Sequence, residues 1–167
     1  ESPSEEAVAK SLAKLIADAP GRVAVTTFSS NVGRIRSVAE AARDADGKIV
    51  VMGRSLKRVI DVATELGYLE GLPEFMDEDE YGMTPRAELV ILCTGSQGEP
   101  RAALAKLARD EFKNVQLSKG DTVIFSSRII PGNEKAILSI KTGLIEQGVT
   151  VIVDTDALVH VSGHPRR

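Results

Sequence analysis

Two hydrophobic rhythms alternate along this chain, and their alternation predicts its architecture. Val8, Leu12, Leu15 and Ile16 fall at i, i+4, i+7 and i+8, the stripe of a helix that Pro20 and Gly21 end. Ahead of it, Ser2, Pro3 and Glu5 read as N-cap, N1 and N3 of a capping box. Residues 22–27 enclose Val23-Ala24-Val25, a short apolar run of buried-strand type, followed by a helix with Ile35, Val38, Ala39 and Ala42 on one face. The unit then repeats. Residues 48–52 form a strand, Gly53-Arg54-Ser55 a turn, and Leu56, Val59, Ile60 and Ala63 the inner face of a helix closed by Gly67.

Residues 71–88 interrupt this rhythm with Pro73, the acidic run Asp77-Glu78-Asp79-Glu80 and Thr84-Pro85, an irregular excursion whose carboxylates read as solvated. The pattern resumes with a strand at 88–94 and a helix from Pro100 that turns Leu104, Leu107 and Ala108 inward. A strand at 121–125 precedes a helix capped by Asn133 and faced by Ile137, Ile140 and Leu144. Residues 149–153 and 159–161 read as further strands. Strands alternating with amphipathic helices imply an α/β fold: three layers, a mostly parallel sheet, helices on both faces, Rossmann-like, in a single domain over residues 1–167.

Composition supports this and narrows the chemistry. Hydrophobic residues are 43% of the 167, aromatics only 4%, so the core is built of Val, Ile, Leu and Ala. The net charge is −3, so no global positive field draws in nucleic acid and a polyanion must be held by local cations. The lone Cys93 ends an apolar run and reads as a core residue in a reducing cytoplasm. No signal sequence and no apolar run of membrane-spanning length is present, so no membrane partner is expected. A chain that starts without Met and stops where a helix should begin is expected to be a piece of a longer protein.

In an open parallel sheet, ligands bind where the strands end. Here those ends read Phe28-Ser29-Ser30-Asn31, Gly53-Arg54-Ser55, Thr94-Gly95-Ser96-Gln97-Gly98, Ser126-Ser127-Arg128 and Ser162-Gly163-His164. Glycine lets a backbone approach a phosphate, serine donates without charge, and arginine grips phosphate oxygens in a fork. Arg34, Arg54, Arg101, Arg128, Arg166 and Arg167 lie in or just after these turns, which makes this edge a candidate anion site. Each turn alone also fits a purely structural role, and residues 159–167 also fit a turn capped by His164 with a solvated basic tail. No Gly-x-Gly-x-x-Gly follows the first strand, no Walker motif is present, and two histidines with one cysteine do not assemble a zinc site within the chain.

Four stretches resemble the β-CASP domain of bacterial ribonuclease J. They are Thr26-Thr27-Phe28-Ser29-Ser30-Asn31-Val32-Gly33-Arg34, Thr94-Gly95-Ser96-Gln97-Gly98-Glu99-Pro100, Phe125-Ser126-Ser127-Arg128-Ile129-Ile130-Pro131-Gly132-Asn133-Glu134 and His160-Val161-Ser162-Gly163-His164. The resemblance implies a domain inserted into a metallo-β-lactamase domain, in an enzyme that cuts RNA internally and from a 5′-monophosphate end. Two zinc ions would be held by the lactamase half, outside this chain, so the chain by itself should be inactive. Ser162, Gly163 and His164 would grip the phosphate near the scissile bond, with His164 as the catalytic group. Phe28, Ser29, Ser30 and Asn31 would line the facing wall, Ser127 and Arg128 would meet the RNA backbone, and Gly95, Ser96, Gln97 and Gly98 would let RNA pass close to the sheet. His160 would be a hydrogen-bonded support. The partners implied are single-stranded RNA, the lactamase domain and, as an open matter, a second copy of the chain.

Residues 94–99 are also similar to the serine-rich turn of a sugar-phosphate-binding SIS domain, which keeps a regulatory or isomerase module as the alternative. A role purely in assembly is a third reading.

Overall fold

The computed structural model describes residues 4–79 and 84–160. Six strands, β1 (Val23–Thr26), β2 (Lys48–Met52), β3 (Phe75–Met76), β4 (Leu89–Cys93), β5 (Thr122–Phe125) and β6 (Thr150–Ile152), form one sheet in the order β3-β2-β4-β1-β5-β6. Every pairing is parallel. Among the described residues the α-helices are α1 (Glu5–Asp18), α2 (Val32–Asp44), α3 (Arg54–Glu65), α4 (Ala103–Ala108) and α5 (Glu134–Glu146). This is the three-layer α/β arrangement that the strand–helix alternation implies, with the sheet wholly parallel.

Successive residues of a strand point to opposite faces, and the core divides accordingly. Val23, Val25, Ile49, Val51, Val90 and Leu92 pack beneath α1, α2 and α3. Ala24, Val50, Met52, Ile91, Cys93, Val123 and Phe125 pack beneath α4 and α5. With both faces covered, the strands have no polar side, which is why the sequence shows continuous apolar runs there. Burial pushes the Cys93 thiol up to about 12, against the lowering effect of the Thr26 hydroxyl, so it is an inert core group.

The topology creates a crevice. Central neighbours β4 and β1 are followed by crossovers on opposite faces, α4 from β4 and α2 from β1. Their chains therefore part as they leave the sheet, at the point where ligands bind in such folds. The register sets Thr26 beside both Cys93 and Phe125, and Met52 beside Cys93, so four strands end at one level. Hydroxyls tie these ends together: Thr26 Oγ1 donates to the Cys93 carbonyl and Thr27 Oγ1 to that of Ser126, both at 3.0 Å.

The opposite edge of the sheet is locked by a buried carboxylate. Asp121 accepts from the Arg22 and Ser118 backbone N–H groups at 2.8 Å each and from the guanidiniums of Arg22 (3.0 Å) and Arg86 (2.9 Å). Burial raises its pKa, but these donors outweigh burial and hold it below the usual carboxylate value.

Arg34 departs from the sequence reading. It belongs to no phosphate rim: the side chain is fully buried, on the inner face of α2. Its Nε and Nη2 form a fork on Glu5 at 3.2 and 2.9 Å, and Nη1 donates to the carbonyls of Ser126 (2.8 Å) and Val159 (3.0 Å). Residues 159 and 160 are consequently not a strand. They follow the sheet as a lashed segment, Val159 buried and its carbonyl taken also by the Ser126 hydroxyl. For His160, expected as a hydrogen-bonded support, neither ring nitrogen has a partner among the described residues.

Four further boundaries differ. The α1 cap is Ser4, whose hydroxyl accepts from the Ala7 N–H, leaving Glu5 free to reach Arg34; Ser2 and Pro3 lie outside the described residues. The excursion at 71–88 contributes β3, which adds to the edge of β2. Helix α4 starts at Ala103 and not Pro100, because the Thr94 hydroxyl and carbonyl accept the N–H groups of Ala103 and Leu104 and fix the first turn there. Asn133 stands at the N-cap of α5, but its side chain donates to Gln97 Oε1 instead of capping.

Two predictions follow from the Arg34 network. Arg34→Ala removes the buried guanidinium that joins Glu5 to the Ser126 and Val159 carbonyls, leaving each carbonyl only a hydroxyl donor, and should destabilise the domain by about 3 kcal/mol, measured by denaturant unfolding. The His160 pKa lies below the ordinary 6.5 through burial first and the Arg34 charge second, with Arg128 adding and Glu5 and Asp154 opposing. A depressed folded pKa means that stability is complete above pH 6.5 and declines as the pH falls through the folded value. Thermal unfolding followed from pH 7.5 to 5.5 should show a steeper decline for the native protein than for His160→Gln (about one pH unit either side of an unperturbed histidine).

Candidate nucleic-acid interface

At the β4/β1 parting lies a cleft of about 720 Å³. Its floor comes from three strand ends: Thr27, Phe28 and Ser29 after β1, Gly53, Arg54 and Ser55 after β2, and Thr94, Gly95 and Ser96 after β4. Its far wall is Arg101, Ala102, Ala103, Lys106 and Phe112, and Lys57, Glu78 and Glu99 complete the lining.

Close backbone approach makes the floor. Gly53 has φ 116°, and a Cβ there would sit 2.4 Å from the Thr94 side chain, so only glycine brings the β2 turn against the end of β4. Gly95, at φ 111°, likewise lies against Leu104 and Ala102 of the α4 approach. The hydroxyls of Ser29 and Ser55 meet at 2.8 Å, bridging the β1 and β2 turns.

The electrostatics favour an anion. Four cations, Arg54, Lys57, Arg101 and Lys106, face two carboxylates in the lining of a chain whose net charge is −3. Lys57 is paired with Glu78 at 3.0 Å, and Glu99 accepts the Gln97 backbone N–H at 3.0 Å. Arg54 and Arg101 are exposed and make no ion pair among the described residues. Helix α3 opens into this cleft with Gly53 at its N-cap, no side-chain cap and no acidic residue in its first turn, where Arg54 and Lys57 stand instead. Cations at a helix N-terminus oppose the macrodipole, an arrangement that a bound anion relieves.

The residues expected at the site separate into groups. Phe28, Ser29, Gly95 and Ser96 line the cleft together. Asn31 serves its own chain, accepting the Arg34 N–H as the α2 cap, and Ser30 is exposed beside it. Gln97 is a buried tie: its amide donates to the Arg128 carbonyl at 2.8 Å and accepts from the Ile130 N–H and the Asn133 amide, joining the β4 and β5 loops. Gly98 packs against Ala136 of α5, leaving no room for a Cβ. Ser127 is buried with its hydroxyl unpartnered among the described residues, and Arg128 is exposed after β5. Ser162, Gly163 and His164, with Arg166 and Arg167, lie outside the described residues.

Sequence reading missed Lys57, Lys106 and Phe112. Lys57 could have been found as a first-turn helix residue beside Gly53-Arg54-Ser55; Phe112 reaches the cleft only by folding back after α4. Among the described residues no three His, Cys, Asp or Glu side chains gather to hold a metal ion. No described helix is long and apolar enough to cross a membrane.

Comparison with known proteins bears on this geometry. The family described as "Ribonuclease J, beta-CASP domain" matches residues 20–144, which include every strand end that lines the cleft. The chain is 66% identical over 166 residues to ribonuclease J of Sinorhizobium meliloti, covering 99% of the chain and 29% of that protein. It is 41% identical over 164 residues to ribonuclease J of Mycolicibacterium smegmatis (98% of the chain, 29% of that protein), and 41% identical over 162 residues to that of Thermus thermophilus (97% and 28%). The chain thus spans under a third of the length of these relatives. Residues 94–99 fall inside the matched region, so the SIS-like turn has its place as part of this domain and the sugar-phosphate reading loses its ground. With the fold, the cleft and the matched strand ends in agreement, the chain belongs to the ribonuclease J β-CASP family.

Proposed function

We propose that this chain is the RNA-positioning domain of a ribonuclease that acts both endonucleolytically and 5′ to 3′, in RNA processing and decay, binding RNA phosphate along the C-terminal edge of its sheet. The observation that carries the reading is the cleft at the β4/β1 parting, where Ser29, Gly95 and Ser96 meet the cationic first turn of α3. Neutral hydroxyls and closely approached backbone suit phosphate oxygens, and Arg54 and Arg101 supply charge that no carboxylate among the described residues satisfies. The names of the relatives supply the reaction class, phosphodiester cleavage of RNA. In this reading two zinc ions are held by a metallo-β-lactamase domain outside these residues, and the chain by itself does not cleave.

This chain's share of the work is to bind and orient. A phosphate held at the strand ends fixes the position of a 5′ terminus, so the bond to be cut is placed and not searched for. Ser162, Gly163 and His164 are proposed to take the phosphate near that bond, with His164 donating to its developing charge or to the leaving oxygen. Val159, lashed by Arg34, anchors the segment that leads to them.

Two measurements test this. In the full-length protein, His164→Ala should leave thermal stability unchanged and lower cleavage by roughly a hundredfold or more, the range of a lost general acid; near-normal cleavage would remove His164 from the mechanism. Exonucleolytic rates should be higher on 5′-monophosphate than on 5′-triphosphate RNA, and equal rates would argue against a phosphate-sized pocket.

A further inference from the structure

The cleft holds more than a phosphate requires. At about 720 Å³ it lies within the range of sites for whole small molecules, about 300–1,000 Å³. Only six residues of the 167 are Phe or Tyr and none is Trp, yet two of these six, Phe28 and Phe112, line this one cavity. Phe125, by contrast, is a core residue, 1% exposed. Phe112 is half-buried: part of it packs against the core beneath α4 and part of it faces the cleft. Lys106, from the last turn of α4, sets its ammonium 5.9 Å from the Phe112 ring centroid, within cation–π reach. Arg101 lines the same wall with no ion-pair partner among the described residues.

An aromatic ring, an adjoining ammonium and a free guanidinium on one wall are the elements with which proteins hold single-stranded nucleic acid: the ring stacks a base and the cations follow the backbone. We propose that Phe112, backed by Lys106 and Arg101, is a nucleobase-stacking subsite that takes one base of a single-stranded RNA, separate from the phosphate contacts of Ser29, Gly95 and Ser96. The inference rests on the RNA reading of the cleft and adds a contact that carries little sequence preference, because every base presents a π face. A ring that stacks bases also favours unpaired RNA, since a base inside a duplex has its faces covered.

The test compares two ligands on the full-length protein by fluorescence anisotropy: a 5′-phosphorylated single-stranded oligoribonucleotide, and the same chain with abasic riboses at its first positions. Phe112→Ala should weaken binding of the intact oligonucleotide about tenfold and leave the abasic one unchanged. Phe112→Trp should restore binding. Because Phe112 also touches the core, Phe112→Leu provides a variant that keeps apolar bulk and lacks the ring; it should show the same selective loss with an unshifted melting temperature. Equal losses on both ligands, or none on either while the native protein binds RNA, would overturn the stacking subsite and leave the phosphate reading intact. A native protein that binds neither ligand would overturn both.

Discussion

A single buried cation organises the functional edge of this domain. Arg34 sits where α2 leaves the sheet, and its five N–H donors reach three parts of the chain that are distant in sequence: Glu5 on α1, Ser126 after β5 and Val159 beyond β6. A guanidinium removed from water is costly unless its donors are met in the right geometry. Here a two-pronged carboxylate contact meets one side and carbonyls meet the other, so the charge is tolerated only when all three segments are in place. The network therefore makes the positions of α1, the β5 loop and the segment entering residues 159–160 interdependent.

The two edges of the sheet solve their electrostatics in different ways. At the N-terminal edge, Asp121 collects backbone and guanidinium donors from Arg22, Arg86 and Ser118 and leaves nothing for a ligand. At the C-terminal edge Arg34 satisfies the β1/β5 side internally, while the β1/β4 side retains Arg54 and Arg101 outside any described ion pair. Topology decides which side stays open. The crossovers from β4 and β1 go to opposite faces, so the chain after each of these strands turns away from the gap between them.

What was legible in the sequence follows from the same physics. Strands buried on both faces must be apolar throughout, and β1, β2, β4 and β5 stand within a residue or so of where their apolar runs place them. Helix faces were legible for the same reason, as with Leu56, Ile60 and Ala63 of α3. Apart from the α1 cap, which Ser4 makes locally to Ala7, the misreadings involve groups whose partners lie outside the reach of helical or strand periodicity. The start of α4 is set by Thr94, and β3 exists because β2 offers an edge. Val159 belongs to a short apolar stretch that looks like a strand, but its carbonyl is taken by Arg34 and Ser126 and not by a neighbouring strand.

Arginine shows where a residue-type argument reaches its limit. Arg34, Arg54, Arg101 and Arg128 all follow strand ends, and by type and spacing each is an equal candidate to hold a phosphate. Their surroundings separate them. Arg34 lies in the first turn of α2 and its side chain is drawn inward by acceptors that α1, Ser126 and Val159 supply, whereas Arg54 is the first residue of α3, follows a turn fixed by Gly53, and meets no carboxylate among the described residues. Neutralising a cation within the protein and reserving it for a ligand are alternatives, because a guanidinium whose donors are already met has little to gain from a phosphate. The capacity of this edge to hold an anion, and RNA on the proposed reading, thus depends less on how many cations the strand ends carry than on which of them the fold leaves unmet.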